Sequence, residues 1–331
     1  MSIRHVTPLT RRTATGRVAQ VYAQSAADFG QPAFMMVSPA PDLHAAAWAL
    51  LRESELVGRA PRAEKEVTAV AVSQANGCRF CVDAHTILVH ATGEHQLAED
   101  LLHDRPLTEP RFARIAAWAK ATRTPGAAES RSAPFPTEVA AEFIGTALST
   151  HFINRMFSTL TDERLIPGNL QRSHSVRRMG GITYARTVRR ELAPGESLEL
   201  LTGIPRGLTP DWAAGTPIGE AFATLRGAAA AGAALLSAPG RDLLAATVAD
   251  WDGGHPSAAW LDQRLAGLSP GDRPAAGLAL LAALAPHELT DARVERWRAT
   301  GSTTDADLVL LLGFGAITAV ERIESAIAGA R

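Results

Sequence analysis

The sequence predicts an all-α protein, and three observations support this class. Apolar residues recur with helical spacing along most of the chain. No series of hairpins and no alternation of strands with helices is visible. Stop signals such as Asn76-Gly77 follow the periodic segments. The 331 residues are 46% hydrophobic and 20% charged, which is enough apolar material for a sizeable core.

Eleven segments carry the helical pattern most clearly: 43–55, 63–75, 78–91, 111–121, 137–160, 217–235, 241–251, 257–266, 273–284, 291–298 and 305–328. Residues 67–72 could form a strand by propensity alone. The charges beside them and the Asn76-Gly77 stop favour a helix. Two stretches rich in proline and small residues, 123–136 and 193–216, predict loops.

The chain divides near residues 165–168 into two halves with a faint internal repeat. The helix predicted after Ala60-Pro61 and before Cys78 is similar in position to one predicted after Ala238-Pro239. We therefore predict a tandem duplication with domains 1–165 and 166–331. Only the first half contains cysteine, so the second is interpreted as a degenerate copy kept for packing.

Charge and hydropathy argue against two classes of partner. A net charge of −1 does not provide a nucleic-acid surface. The longest uncharged apolar runs, 227–240 and 308–320, fall short of the ~20 residues that a membrane helix needs. The N-terminus has no apolar signal region. We expect a cytoplasmic protein that binds neither nucleic acid nor membrane.

The two cysteines of the chain, Cys78 and Cys81, lie three residues apart. On a helix at ~100° per residue they fall within ~60° of His85, so the three side chains form one stripe. Asn76-Gly77 places Cys78 at the start of a helix, where free N–H groups stabilise a thiolate. Glu66 lies on the preceding helix and can reach the stripe if the two helices form a hairpin.

These four residues resemble a known family. Glu66, Cys78, Cys81 and His85 match the E-x(11)-C-x-x-C-x-x-x-H signature of AhpD-like alkylhydroperoxidases, within the carboxymuconolactone decarboxylase superfamily. The resemblance implies a helical fold in which the cysteine pair reduces hydroperoxides and cycles through a disulfide. It implies no cofactor and no metal. The decarboxylase branch lacks the cysteine pair, so lactone decarboxylation is not implied.

The resemblance also implies roles and partners. Cys78 and Cys81 would be the redox pair, with Glu66 and His85 as the proton relay. A dithiol reductant, such as a lipoyl protein or a thioredoxin-like donor, would restore the pair, and the protein would form a homo-oligomer. Because Cys81 adjoins His85, we interpret it as the sulfur that attacks the peroxide. One departure is Phe80, where the better-known peroxidases carry a histidine; its apolar ring shortens the relay.

Three alternatives remain open at this level. The cysteines could be buried small hydrophobic residues, or Cys78, Cys81, His85 and Glu66 could bind zinc. The protein could also be a weakly catalytic redox sensor or a helical scaffold. Further along the chain, His151 is interpreted as a packing residue more readily than a pocket residue. Asn154-Arg155 is interpreted as part of a structural salt bridge.

Overall fold

The computed structural model describes residues 2–162, 170, 173–301 and 303–328. Within these ranges the chain forms α-helices joined by short 3₁₀ turns, and the pairing of Ile3 with Thr161 is an isolated bridge. The helices are α1 (Gly16–Asp28), α2 (Pro41–Leu51), α3 (Arg62–Asn76), α4 (Arg79–Thr92), α5 (His95–Leu102), α6 (Pro110–Ala121), α7 (Ala128–Arg131), α8 (Ala140–Leu160), α9 (His174–Val188), α10 (Pro217–Ala230), α11 (Ala238–Ala249), α12 (Ala258–Leu265), α13 (Arg273–Leu284), α14 (Asp291–Arg298) and α15 (Asp305–Ala328). The predicted all-α class is confirmed.

Each of the eleven predicted segments corresponds to a helix, and residues 67–72 lie inside α3 as expected. The sequence missed α1, α5, α7 and α9. Of these, α7 interrupts the predicted 123–136 loop with a single turn. Helix α9 is rich in arginine and has three buried residues, so its apolar periodicity is weak.

The hydrophobic core is continuous through both halves of the sequence. One cluster of buried side chains includes Trp48 of α2, Phe152 of α8, Leu280 of α13 and Leu312 of α15. Helix α15 packs against both α13 and α8. The predicted boundary at 165–168 lies outside the described residues, and the division into two domains stays a prediction.

The turn before α3 is fixed by a buried carboxylate. Glu142 of α8 accepts hydrogen bonds from the backbone N–H groups of Arg59 and Ala60, and it forms an ion pair with Lys65 at 3.1 Å. Gly58 has a φ of +114°, and a Cβ there would collide with the Glu142 carboxylate. The start of α3 is thereby anchored to α8.

In the described ranges, no helix has the combination of length and hydropathy that a bilayer-crossing segment requires.

Candidate functional site

The cysteine pair lies at the turn of a helical hairpin made by α3 and α4. Gly77 ends α3 with a φ of +72°, and its N–H bonds to the carbonyl of Gln74. The N–H of Cys78 bonds to the carbonyl of Ser73 at 3.0 Å, which completes the glycine-dependent stop. Cys78 is therefore the N-cap of α4. It lies immediately before the first turn of the helix, where the sequence predicted the helix to begin.

Cys78 and Cys81 are joined as a disulfide. Each cysteine is 3% exposed, so both sulfurs are largely shielded from solvent. The two differ in their access to the interior, because Cys81 lines a cavity and Cys78 does not contribute to that lining. His85 lines the same cavity one turn further along α4.

Glu66 and His85 are in direct contact across the hairpin. His85 Nδ1 lies 2.8 Å from Glu66 Oε2, which accepts its hydrogen bond when that nitrogen is protonated. Arg62, one turn before Glu66 on α3, donates to the other carboxylate oxygen through Nε at 2.7 Å and Nη2 at 2.6 Å. The buried Glu66 thus holds a cationic group on each oxygen.

The sequence did not identify Glu55, which completes this group of side chains. Its Oε1 lies 3.7 Å from His85 Nδ1 and 3.6 Å from Arg62 Nη2. We call Glu55, Arg62, Glu66 and His85 the carboxylate cluster. A π-helical turn, Arg52–Leu56, continues α2 and carries Glu55. The signal available in the sequence was the group of charged residues, including Glu55, at the end of a mainly apolar helix.

The π-helical turn is stabilised by a buried arginine. Arg52 is fully buried and donates to Asp28 and Glu53, both at 2.7 Å. The N–H of Val57 reaches back five residues to the carbonyl of Arg52. Such wide turns often occur at functional sites because they alter the direction of side chains.

Burial and the neighbouring charges shift the pKa values of Glu55, Glu66 and His85. Burial, and then repulsion from Glu66, raises the pKa of Glu55 to about 7. Burial opposes ionisation of Glu66, but Arg62 and His85 outweigh it and lower that pKa. Burial alone would lower the pKa of His85, whereas Glu55 and Glu66 together raise it. The cluster therefore favours an ionised Glu66 beside a protonated His85.

A metal could find donors in the same place. Donor atoms of Glu55, Glu66 and His85 all lie within 4.8 Å of one another. This set differs from the four zinc ligands considered from the sequence, because Glu55 takes the place of the two sulfurs. The Arg62 guanidinium already occupies one oxygen of Glu66, so a cation bound there would experience its repulsion.

The cavity beside Cys81 has a volume of about 310 Å³ and is mainly apolar. Most of its lining is aromatic or aliphatic, and Glu55, Cys81 and His85 lie together in the wall. Phe80 stands at the position where the better-known peroxidases carry a histidine. Its ring stacks on Phe157 with ring centroids 4.4 Å apart. Phe80 therefore forms apolar wall and carries no proton.

A second buried polar group lies at the other end of α3. We call Asn76, Arg123, His151 and Arg155 the arginine cluster. Asn76 donates to His151 at 3.0 Å and accepts from Arg123 at 2.8 Å. Burial is the main cause that lowers the pKa of His151 well below its ordinary value. This buried network agrees with the packing interpretation of His151.

The interpretation of Arg155 as a salt-bridge residue was wrong. Its guanidinium donates to the backbone carbonyls of Ala283 and His151, and no carboxylate in the described ranges pairs with it. Arg155 and Arg123 both lie over the ring of Trp251, with Cζ at 5.8 and 5.1 Å from the ring centroid. Aromatic and carbonyl groups replace the expected anion.

Comparison with known proteins agrees with the signature in α3 and α4. The model of the carboxymuconolactone decarboxylase family matches residues 42–121. The chain is also 39% identical over 337 residues to an alkyl hydroperoxide reductase of Mycobacterium tuberculosis. The aligned region covers 99% of this chain and 96% of that relative. The relative extends well beyond the matched family segment, which is consistent with a tandem duplication.

Proposed function

The chain belongs to the carboxymuconolactone decarboxylase superfamily, and from this premise we propose that it is a thiol-dependent peroxidase. The similarity to an alkyl hydroperoxide reductase supports an oxidoreductase in general. One observation carries the finer proposal: Cys81 and His85 line one apolar cavity, and His85 is hydrogen-bonded to the buried Glu66. A sulfur, an imidazole that stabilises its thiolate when protonated, and space for a substrate thus share one cavity.

In the proposed cycle, the proton of the reduced Cys81 passes to His85, and the raised pKa of His85 favours the resulting pair of thiolate and protonated imidazole, which Glu66 holds in place. The Cys81 thiolate attacks the terminal oxygen of a hydroperoxide, the O–O bond breaks, and an alcohol leaves. The resulting sulfenic acid condenses with the Cys78 thiol, forming the disulfide and releasing water. Access to the cavity supports Cys81, over Cys78, as the attacking sulfur.

The preferred substrate in this proposal is an organic hydroperoxide. A lining with Phe34, Met36, Leu88 and Phe157 stabilises an alkyl or aryl group by burying it. Hydrogen peroxide has no group that could use this surface. A volume of about 310 Å³ is at the lower end of the range usual for small-molecule pockets, which favours compact substrates.

An external dithiol completes the cycle by attacking the disulfide and leaving as a disulfide itself. Reduction of one hydroperoxide consumes two electrons, which is the capacity of one dithiol. A lipoyl protein or a thioredoxin-like protein has this chemistry. Neither a bound cofactor nor a metal is needed at any step of the proposal.

We include a homo-oligomer in the proposal. Met179 and Ile182 of α9 are 62% and 70% exposed, and their spacing of three residues places them on one helix face. Exposed apolar side chains on one face are typical of surfaces that a second copy covers. Sedimentation of the full chain, with Ile182→Glu as a disrupting variant, measures the oligomeric state.

The function is tested by following hydroperoxide consumption with a dihydrolipoamide-regenerating system. We expect turnover with an alkyl hydroperoxide, and its loss in both Cys81→Ser and Cys78→Ser. A single addition of peroxide should still oxidise Cys81 in the Cys78→Ser variant, where a sulfenic acid can be trapped. Two thiols that survive an excess of peroxide in the wild-type protein would reject the proposal.

A further inference from the structure

The proposed proton relay of Cys81, His85 and Glu66 gives no role to Glu55. Its side chain is 1% exposed, and neither carboxylate oxygen has a hydrogen-bond partner among the described residues. An ionised carboxylate without hydrogen bonds in such surroundings is unstable, whereas a neutral carboxyl costs far less. The geometry therefore favours the protonated form of Glu55.

The nearby cations do not compensate Glu55, because Glu66 makes the closer contacts. Arg62 lies 2.6 Å from Glu66 and 3.6 Å from Glu55, and His85 lies 2.8 and 3.7 Å from the same two carboxylates. Lys65 adds a weaker attraction and is itself paired with Glu142. One carboxylate of the cluster is thus charged and bonded, and the other retains a proton near neutral pH.

The Glu55 side chain lies in the wall of the cavity where the reaction is proposed to occur. Glu55, Cys81 and His85 line the same cavity, whose remaining wall is mainly apolar. A hydroperoxide that places its hydrocarbon group against the apolar wall presents its O–O bond to these three groups. The thiolate requires the terminal oxygen, so the second oxygen, which leaves, needs a proton donor.

We propose that Glu55 is the general acid of peroxide cleavage, donating its carboxyl proton to the oxygen that leaves as alcohol. This inference rests on the proposed peroxidase function and adds a residue to it. A bond forms between sulfur and the terminal oxygen, the O–O bond breaks, sulfur is oxidised by two electrons, and the peroxide is reduced. The products are the Cys81 sulfenic acid, a neutral alcohol and the Glu55 carboxylate.

The proton balance closes within the cluster. His85 holds the proton that the Cys81 thiol lost, and its Nδ1 lies 3.7 Å from Glu55 Oε1. Return of that proton to Glu55 regenerates both groups, while the sulfenic acid condenses with Cys78 and releases water. The sum is two thiols and one hydroperoxide converted to a disulfide, an alcohol and water.

The inference is tested by comparing two reactions of the reduced protein in single-turnover experiments at pH 6. Cumene hydroperoxide needs a proton on its leaving oxygen, whereas iodoacetamide releases iodide and needs none. In Glu55→Gln we expect the peroxide rate to fall about a hundredfold, within the range usual for general acids, while the alkylation rate changes about twofold or less. Glu55→Asp should recover part of the peroxide rate.

Glu53→Gln is the matched control for the fold. It makes the same carboxyl-to-amide change in the same π-helical turn, but Glu53 bonds to Arg52 and Ser197 and does not line the cavity. Damage to the turn alone would lower both rates together. We expect the ratio of peroxide to alkylation rates to be unchanged in this control.

Several outcomes would overturn the inference. A ratio of peroxide to alkylation rates that is unchanged in Glu55→Gln would do so. If both rates fell equally, Glu55 would act through the thiolate and not on the peroxide. If Glu55→Gln does not fold, the wild-type ratio is decisive: it should fall above about pH 7, and a flat ratio up to pH 9 contradicts a carboxyl donor. If peroxide does not oxidise the wild-type protein, the proposed function and this inference are both rejected. If peroxide oxidises the wild-type protein and Glu55→Gln reacts with peroxide at the same rate, only the inference is rejected.

Discussion

Helix α3 has a buried polar cluster at each end, and the two clusters differ in charge balance. The carboxylate cluster contains Glu55 and Glu66 beside one permanent cation, Arg62, and it borders the cavity. The arginine cluster contains two guanidiniums and no carboxylate that pairs with them in the described ranges. Each cluster has a member close to the cysteine pair in sequence, Asn76 before Cys78 and His85 after Cys81, so this proximity alone does not distinguish them.

The difference shows which buried charges can exchange protons. Glu55 has a pKa raised to about 7 and therefore changes charge near neutral pH. Burial lowers the pKa of Arg123 to about 10, and burial with repulsion from Arg123 lowers that of Arg155 to about 9. Both arginines remain protonated at neutral pH. The carboxylate cluster is suited to catalysis, and the arginine cluster is suited to structure.

The structural role of the arginine cluster is to join the two halves of the sequence. Arg123 donates to the carbonyls of Gly253 and Gly254 at 2.9 and 3.1 Å, and Arg155 donates to Ala283 at 2.8 Å. Trp251, also from the second half, lies beneath both guanidiniums. Each cation is thus balanced by dipoles and an aromatic face.

The largest effect on stability should come from Trp251→Ala. The substitution removes a 6% exposed indole and both cation–π contacts, so the free energy of unfolding should fall by about 3–5 kcal/mol. Chemical denaturation measures this loss. The thiol pKa, measured by the pH dependence of alkylation, should not change, because Trp251 is absent from the lining of the cavity.

Trp260→Ala is the matched control for that substitution. Trp260 is partly buried and faces Arg264, which is not a member of the arginine cluster, with Cζ at 6.0 Å from the ring centroid. We expect a loss of about 1–2 kcal/mol there. Equal losses in the two variants would mean that the arginine cluster contributes nothing special to stability.

The next effect concerns the carboxylate cluster and is kinetic. Glu66→Gln removes the anion that holds His85 and Arg62, so we expect the rate of Cys81 oxidation by an alkyl hydroperoxide at pH 7 to fall about a hundredfold. Stopped-flow kinetics on the reduced protein measures it. Glu64→Gln on the same helix removes only a salt bridge with Arg111 and should leave the rate nearly unchanged. Similar rates in both variants would contradict the relay.

The smallest effect is a pH dependence of stability caused by Glu55. Its pKa is higher in the folded protein than in the unfolded chain, so its contribution to stability is complete below about pH 4.5 and is lost as pH rises through about 7. Glu55→Gln carries no such charge. Its free energy of unfolding should therefore match the wild type near pH 4 and exceed it by about 1–3 kcal/mol near pH 8. A difference that does not vary with pH would contradict a buried, titrating Glu55.

Several features of the site could be predicted because their signals are local. The glycine that ends α3 fixes where α4 begins, and the spacing of Cys78, Cys81 and His85 then places the three residues on one stripe. Glu66 could also be assigned to the site from the sequence, because a short turn between two helices makes them antiparallel neighbours. Its contact with His85 follows from that hairpin.

Glu55 and the partners of Arg155 could not be predicted in the same way. Glu55 reaches the site because a π-helical turn at residues 52–56 changes the register of its helix, and Arg52 stabilises that turn through Asp28 of α1. Arg155 has no carboxylate partner among the described residues because helix packing places the Ala283 carbonyl and Trp251 against it. Both outcomes depend on segments far apart in sequence.

The sequence by itself determined the all-helical class, the helical hairpin and the four-residue signature, since each depends on the periodicity and turn chemistry of neighbouring residues. Only the tertiary structure decided which sulfur borders the cavity, which carboxyl has no hydrogen-bond partner and which buried cations have no anion within the described part of the chain. Burial and charge balance are properties of the assembled core. They shift a pKa or stabilise a guanidinium through groups that the chain brings together only when it folds.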